Sequence, residues 1–246
     1  VSGDGDIRVG CCGMQMARSA YFRIFTLTEV QQTFYHPPQT QTLERWRREA
    51  PANFEFTLKA WQLITHPPSS PTYRRLRRPI PPAQRRYYGA FQPTPQVLVA
   101  WRTTLQAARA LAARIIVFQS PASFTPVEQN ISNLRAFFTA IKPQRADLIC
   151  GWEPRGDWPG DLVARLVREL NLIWIVDPFV TAPPTDQPLG YFRLHGKPGT
   201  NYRYSYSDAE LRQLLLWCRR LHSRPTYVLF NNTAMVSDAQ RFLRLI

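Results

Sequence analysis

The stretch Gly190-Tyr191-Phe192-Arg193-Leu194-His195-Gly196 alternates: along a strand, Tyr191, Arg193 and His195 share one face, and Phe192 and Leu194 share the other. One face is apolar and the other carries titratable groups. A strand whose polar face must still be buried, and which ends in His195-Gly196, fits a closed parallel barrel. In such a barrel the strands wall in one another's inner faces, and functional groups gather where the strands finish.

Working outward, strand-like runs occur at 7–10, 27–30, 54–59, 115–118, 148–152, 172–176, 191–195 and 226–230, which makes eight. Helical patterns fall between them, most clearly at 42–49, 94–113, 126–141, 159–170, 207–221 and 237–245. Ser207-Asp208-Ala209-Glu210 fits a capping box, and Pro126 and Pro159 suit first helical positions. Alternation of strand and helix implies a parallel sheet, and eight units within 246 residues imply an α/β fold of the TIM (β/α)8 barrel type in a single domain. Residues 1–6 read as a loose tail, 7–246 as the barrel, and about 62–93 as a long Pro/Arg-rich insertion.

No run of about 18 apolar residues suggests a membrane span, and the start of the chain lacks the pattern of a secretory signal, so a cytoplasmic protein with no membrane partner is expected. Four cysteines without CxxC spacing support neither a disulfide framework nor a structural zinc site. Cys11 could face the barrel mouth as a nucleophile if Gly10 frees the backbone, although a buried, inert thiol is the favoured reading.

The net charge of +14 is unevenly placed, because no Asp or Glu lies between Glu55 and Glu128 while ten Lys and Arg do. Six of them, Arg74, Arg75, Arg77, Arg78, Arg85 and Arg86, sit in the insertion among Trp61, Tyr73, Tyr87, Tyr88 and Phe91. That mixture suits phosphate contact with base stacking, and it equally suits a solubilising loop anchored by its aromatic residues. Only three lysines stand beside 28 arginines, so an Arg-favouring composition explains part of the excess.

Parity places a set of inward residues near the strand ends: Glu29 and Gln31, Lys59 with Trp61, Gln119, Glu153, Asp177, Arg193 with His195, and Asn231. Glu153, Asp177 and His195 are acid and base candidates, and Lys59 serves as a fixed cation for a substrate anion in preference to a Schiff-base amine. Tyr35, His66 and Arg155 join the substrate-binding candidates, and His36 and His66 precede prolines in loops at the same end. His222, beside Arg219 and Arg220, reads as solvated. Glu29, Glu153, Asp177 and His195 could hold a divalent metal, but salt bridging by Lys59 and Arg193 is the favoured alternative. No organic cofactor is indicated.

Several motifs in order, Glu29 to Tyr35 (EVQQTFY), Phe56 to Lys59 (FTLK) with Ile64-Thr65-His66, Phe118-Gln119, Phe192 to Gly196 (FRLHG) and Tyr227 to Asn232 (YVLFNN), resemble the YecE-like family, domain of unknown function 72. The likeness runs from Val9 to the last helix and implies a TIM barrel with a site at these positions; it implies no particular reaction. The chain departs from the pattern at Gly10-Cys11-Cys12-Gly13-Met14, where the family usually has Gly-Thr-Ser-Gly-Trp, and at Gln31-Gln32, usually Asn-Ser. It departs again at Trp152-Glu153-Pro154-Arg155, usually Glu-Phe-Arg-His. The function expected is an enzyme for an anionic or phosphorylated substrate, with nucleic acid among the candidates; the alternative is a non-catalytic nucleic-acid-binding protein that uses the basic loop.

Overall fold

The computed structural model describes residues 6–145, 147–221 and 225–246, so His222 and the first five residues of the expected tail lie outside the description. Among the described residues the strands are β1 (Ile7–Cys12), β2 (Leu27–Val30), β3 (Glu55–Lys59), β4 (Ile115–Gln119), β5 (Ile149–Glu153), β6 (Ile173–Trp174), β7 (Gly190–Leu194) and β8 (Thr226–Phe230). These follow the eight runs expected from the sequence. The sheet order β6-β5-β4-β3-β2-β1-β8-β7 leaves β6 and β7 at its ends. Those ends are themselves joined: Val176 bridges Phe192 in parallel, its N–H reaching Tyr191 O at 3.3 Å, and Arg193 N–H reaches Val176 O at 2.9 Å. Closure removes the free edges, and the fold is the parallel eight-stranded α/β barrel of the TIM type.

The helices are α1 (Arg18–Phe22), α2 (Gln32–Tyr35), α3 (Thr40–Glu49), α4 (Gln62–Thr65), α5 (Pro95–Leu111), α6 (Glu128–Ile141), α7 (Gly160–Glu169), α8 (Asp208–Arg220) and α9 (Met235–Leu243). Six match the expected patterns, whereas α1, α2 and α4, at four or five residues, are too short to display a helical period. The capping box forms: Ser207 Oγ accepts the Glu210 N–H at 3.3 Å while the Glu210 carboxylate accepts the Ser207 N–H at 2.7 Å. The two prolines sit slightly earlier than expected, Pro159 at the N-cap of α7 and Pro126 just before the N-cap Val127 of α6. Both positions tolerate proline for the same reason as the first helical one, since none needs an N–H inside the helix. Among the described residues no helix is long and apolar enough to cross a membrane.

Contacts divide the chain into two units: Val1–Glu29 with Glu49–Glu55 and Ile173–Ile246, and Val30–Arg48 with Phe56–Leu172. In the second unit an aromatic cluster forms the core, with Phe91 5.2 to 6.2 Å from Phe118, Phe124, Phe137 and Phe138 between ring centroids. Such pairs add about 0.5–1.5 kcal/mol each beyond the area they bury.

In the first unit Tyr21 and Phe25 pack at 4.7 Å, and the Tyr21 hydroxyl accepts the Cys11 N–H and donates to Leu27 O, both at 2.9 Å. A side chain thus stands between two strands and satisfies backbone groups of both. The same approach of β1 to β2 leaves no room at Gly10, where an added Cβ would lie 2.1 Å from Leu27 O. Gly10→Ala must therefore push backbone against backbone, and we expect a loss of about 3 kcal/mol or more, the upper end for overpacked interiors, in urea unfolding followed by circular dichroism.

Candidate functional site

In the first unit the polar face of β7 meets β2. Arg193 grips Glu29 with two nitrogens, Nε to Oε2 at 3.0 Å and Nη2 to Oε1 at 2.8 Å, and both side chains are 0 % exposed. Tyr191 OH donates to Glu29 Oε2 at 2.9 Å, so oxygen and nitrogen donors alone give the carboxylate at least three hydrogen bonds. Cys12 Sγ lies 3.7 Å from both Glu29 Oε1 and Arg193 Nη2, and burial, reinforced by the Glu29 charge, holds its thiol well above the usual range. The thiol is protonated and is not a nucleophile at neutral pH.

His195 stands one residue beyond β7, 1 % exposed, with Nε2 3.4 Å from Arg193 Nη1. Its backbone N–H donates to Asp177 Oδ2 at 2.9 Å, and its Nδ1 lies 3.8 Å from the same oxygen. Phe179 N–H holds the other oxygen of Asp177 at 3.1 Å. A guanidinium can only donate, so its contact asks for a lone pair on Nε2 and places the ring proton on Nδ1, toward Asp177. Tyr191, Arg193 and His195 share the face that alternation assigned to them, and Asp177 comes from the loop after β6.

Cys11 does not turn to this group. Its Sγ donates to Met235 O at the start of α9, 3.5 Å away, and burial pushes its thiol up to about 12. Cys11 is the buried thiol that the favoured reading expected, and not the mouth-facing alternative, because the Tyr21 hydroxyl fixes the Cys11 amide and Gly10 serves close strand approach instead of a turned backbone.

In the second unit Lys59 ends β3 with its Nζ 3.7 Å from the Phe34 ring centre, a cation held on an aromatic face. Its carbonyl accepts from Thr33 Oγ1 at 2.7 Å. His66 packs edge-on against the same ring at 4.8 Å, and its Nδ1 lies 2.7 Å from Thr65 Oγ1. Burial and then the Lys59 charge lower the His66 pKa to about 3, so this imidazole is neutral. Glu153, 4 % exposed at the end of β5, pairs with Arg155 at 2.7 Å and stands in register with Gln119 of β4. Gln31 precedes α2 and Tyr35 closes it, while Trp61 caps α4 with a buried Nε1 that has no hydrogen-bond partner among the described residues. In the first unit Asn231 follows β8 and bonds Leu194 O through its N–H at 2.8 Å.

Among the described residues no three His, Cys, Asp or Glu side chains form a group fit for a metal ion, and Glu29 is engaged by Arg193 and Tyr191. The sequence reading passed over Tyr191 and Phe34 as site residues. Tyr191 shares a face with Arg193, a parity signal that was available, whereas nothing in spacing marks Phe34 as the ring beneath Lys59.

Two outcomes follow from this geometry. Arg193→Met leaves the Glu29 carboxylate buried without its countercharge and should cost about 3–5 kcal/mol, most of it recovered when Glu29→Gln is added, as read in urea unfolding. His66 binds protons only when unfolded over the range from about 6.5 down to about 3, so stability from this group is lost as pH falls through that window. His66→Gln should therefore flatten the fall of stability between pH 6 and 4 by up to about 1.4 kcal/mol per pH unit.

The sequence matches the family described as "Protein of unknown function DUF72" over residues 14–246. No curated protein matches it. Among solved structures it is similar to a DUF72 family protein from Thermotoga maritima, at 18% identity and TM-score 0.70 with 98% of each chain covered. A DUF72 family protein from Enterococcus faecalis gives 17% identity and TM-score 0.73, covering 98% of this chain and 97% of that one. A xylose isomerase domain containing protein from Salmonella typhimurium shares the fold at 14% identity and TM-score 0.59, with 97% and 94% covered. Strands β2 to β8 and the motifs around Glu29, Lys59 and His195 lie inside the matched span, and the chain belongs to the DUF72 family.

Proposed function

We propose that the protein is an enzyme that moves a proton on a small anionic substrate, of the phosphorylated sugar type, with His195 as the proton-transferring group. The observation that carries this reading is the arrangement of His195 between Asp177 and Arg193, with Asp177 fixed by two backbone amides. In this reading Nε2 becomes the basic atom once the Arg193 nitrogen beside it turns to the substrate anion, and when Nε2 takes a proton the imidazolium is stabilised by the Asp177 carboxylate 3.8 Å from Nδ1. Arg193, neutralised by Glu29, positions the ring and does not compete as a free cation. A net charge of +14 favours anionic substrates through the general field. Support for a sugar comes from fold relatives whose names refer to xylose isomerase and to D-tagatose 3-epimerase, both carried on this barrel. Lys59 and Arg155 are the second unit's candidates for holding an anion.

The segment after β7 covers His195. Asn201 N–H bonds His195 O at 3.0 Å, Gly196 N–H bonds Tyr206 OH at 2.8 Å, and the half-exposed Tyr202 ring lies 6.2 Å from the imidazole. Substrate entry requires this cover to lift, as in other barrels with mobile loops.

Incubating the protein in D2O with a panel of aldose and ketose phosphates, and following loss of the carbon-bound proton by NMR, tests the reading. Exchange is expected with the wild type and should fall by about 10²-fold or more in His195→Asn. Exchange that survives His195→Asn, or a complete absence of exchange and of thermal stabilisation by every phosphorylated sugar, overturns it.

A further inference from the structure

We propose that the segment from His66 to Tyr88 is a preformed platform for single-stranded nucleic acid. Arg74, Arg75, Arg77, Arg78, Arg85 and Arg86 are all exposed. Among the described residues none of the six has a carboxylate partner, whereas Arg8, Arg18, Arg135 and Arg241 elsewhere on the surface are each paired with an acid. The segment itself contains no Asp or Glu that could neutralise them. Six unneutralised guanidiniums within 13 positions make a standing attraction for a polyanion. The Arg77 charge, after burial, also lowers the pKa of nearby His36.

The display is rigid, which a solubilising loop has no need to be. Two 3-10 turns, Pro71–Arg75 and Pro82–Tyr87, each begin with proline. The ends are tied back onto α4, with Gly89 N–H to Leu63 O at 2.8 Å and Phe91 N–H to Ile64 O at 2.9 Å. Tyr73 OH adds a bond to His66 O at 2.8 Å. Gly89 has φ +80 and a Cβ there would meet His66 O at 2.0 Å, so this tie requires glycine. Much of the ordering cost of binding is thereby met during folding.

Aromatic faces complete the platform. The Arg75 guanidinium lies over the Tyr35 ring at 4.2 Å and that of Arg86 over Tyr87 at 4.8 Å, planar pairs on which an unstacked base can lie. A cleft of ≈ 300 Å³ runs beside them, lined among others by Ser69, Tyr73, Arg74, Leu76, Ile80 and Arg85. A lining that mixes hydroxyls, guanidiniums and apolar side chains suits a phosphate with its attached sugar. Single strands are favoured over duplex because the segment offers short 3-10 turns and no α-helix to enter a major groove.

Fluorescence anisotropy of the full chain with labelled oligouridylate and oligothymidylate of about 12 nucleotides tests the proposal. Affinity should fall steeply with added KCl. Replacing Arg74, Arg75, Arg77 and Arg78 together by Ala should weaken binding at least tenfold at low salt. It should also reduce the slope of log affinity against log salt by about 3, at roughly 0.7 per phosphate contact. These side chains are exposed, so an unchanged melting curve verifies that the variant is folded. An unchanged slope, binding of duplex as tight as of single strand, or equal affinity for inorganic polyphosphate of matched charge overturns the proposal. Either oligonucleotide alone as the tighter ligand supports it and identifies the sugar preferred.

Discussion

The buried Glu29–Arg193 pair is the constraint around which the first unit is arranged. Two charges without solvent exposure are tolerable only when each is matched in geometry and the remaining lone pairs are filled. Here the guanidinium supplies two parallel hydrogen bonds and Tyr191 supplies a third. The pair ties β7 to β2, sets the direction of the one Arg193 nitrogen that reaches His195, and through that contact selects the imidazole tautomer. The neighbouring Cys12 is held a protonated thiol by burial and then by the Glu29 charge.

Much of this was legible in the chain itself, and the reasons differ from element to element. Period-two alternation exposed the Tyr191, Arg193 and His195 face because a strand inside a barrel must bury polar side chains that an open sheet would give to water. Strand and helix alternation yielded the barrel because both periods are local properties. Pairing is not local. Glu29 and Arg193 are 164 residues apart, and spacing alone left Glu29 open between a metal ligand and a salt bridge. Cys11 is the buried thiol the chain suggested, but its cause was not legible: the thiol's direction depends on Tyr21, whose hydroxyl takes a place in the strand ladder that no propensity scale anticipates. The four- and five-residue helices were invisible because one turn shows no period.

Lys59 and His66 show how the second unit handles charge by different means. Its lysine rests on an aromatic ring, and its histidine, pressed against the same ring, is kept neutral by burial and by that lysine. Both groups touch Phe34, and burial together with the lysine charge keeps the imidazole neutral beside it. The sequence offered a rare lysine in an arginine-rich chain as its only signal of this arrangement, since the ring that joins the two side chains lies on α2, outside either strand.

The ties between residues 63–65 and 89–91 bring the two ends of the Pro/Arg-rich segment together on α4. What lies between them is therefore a closed excursion from the barrel, whose length has only a weak, logarithmic effect on the free energy of closing it. Within it the Tyr87 carbonyl accepts from Thr94, the N-cap of α5, and Arg75 lies over Tyr35 of α2, so the positions apart from these contacts are the ones whose number can vary at that low cost. The exposed residues of the excursion are thus free to change in sequence while its ends stay pinned to α4.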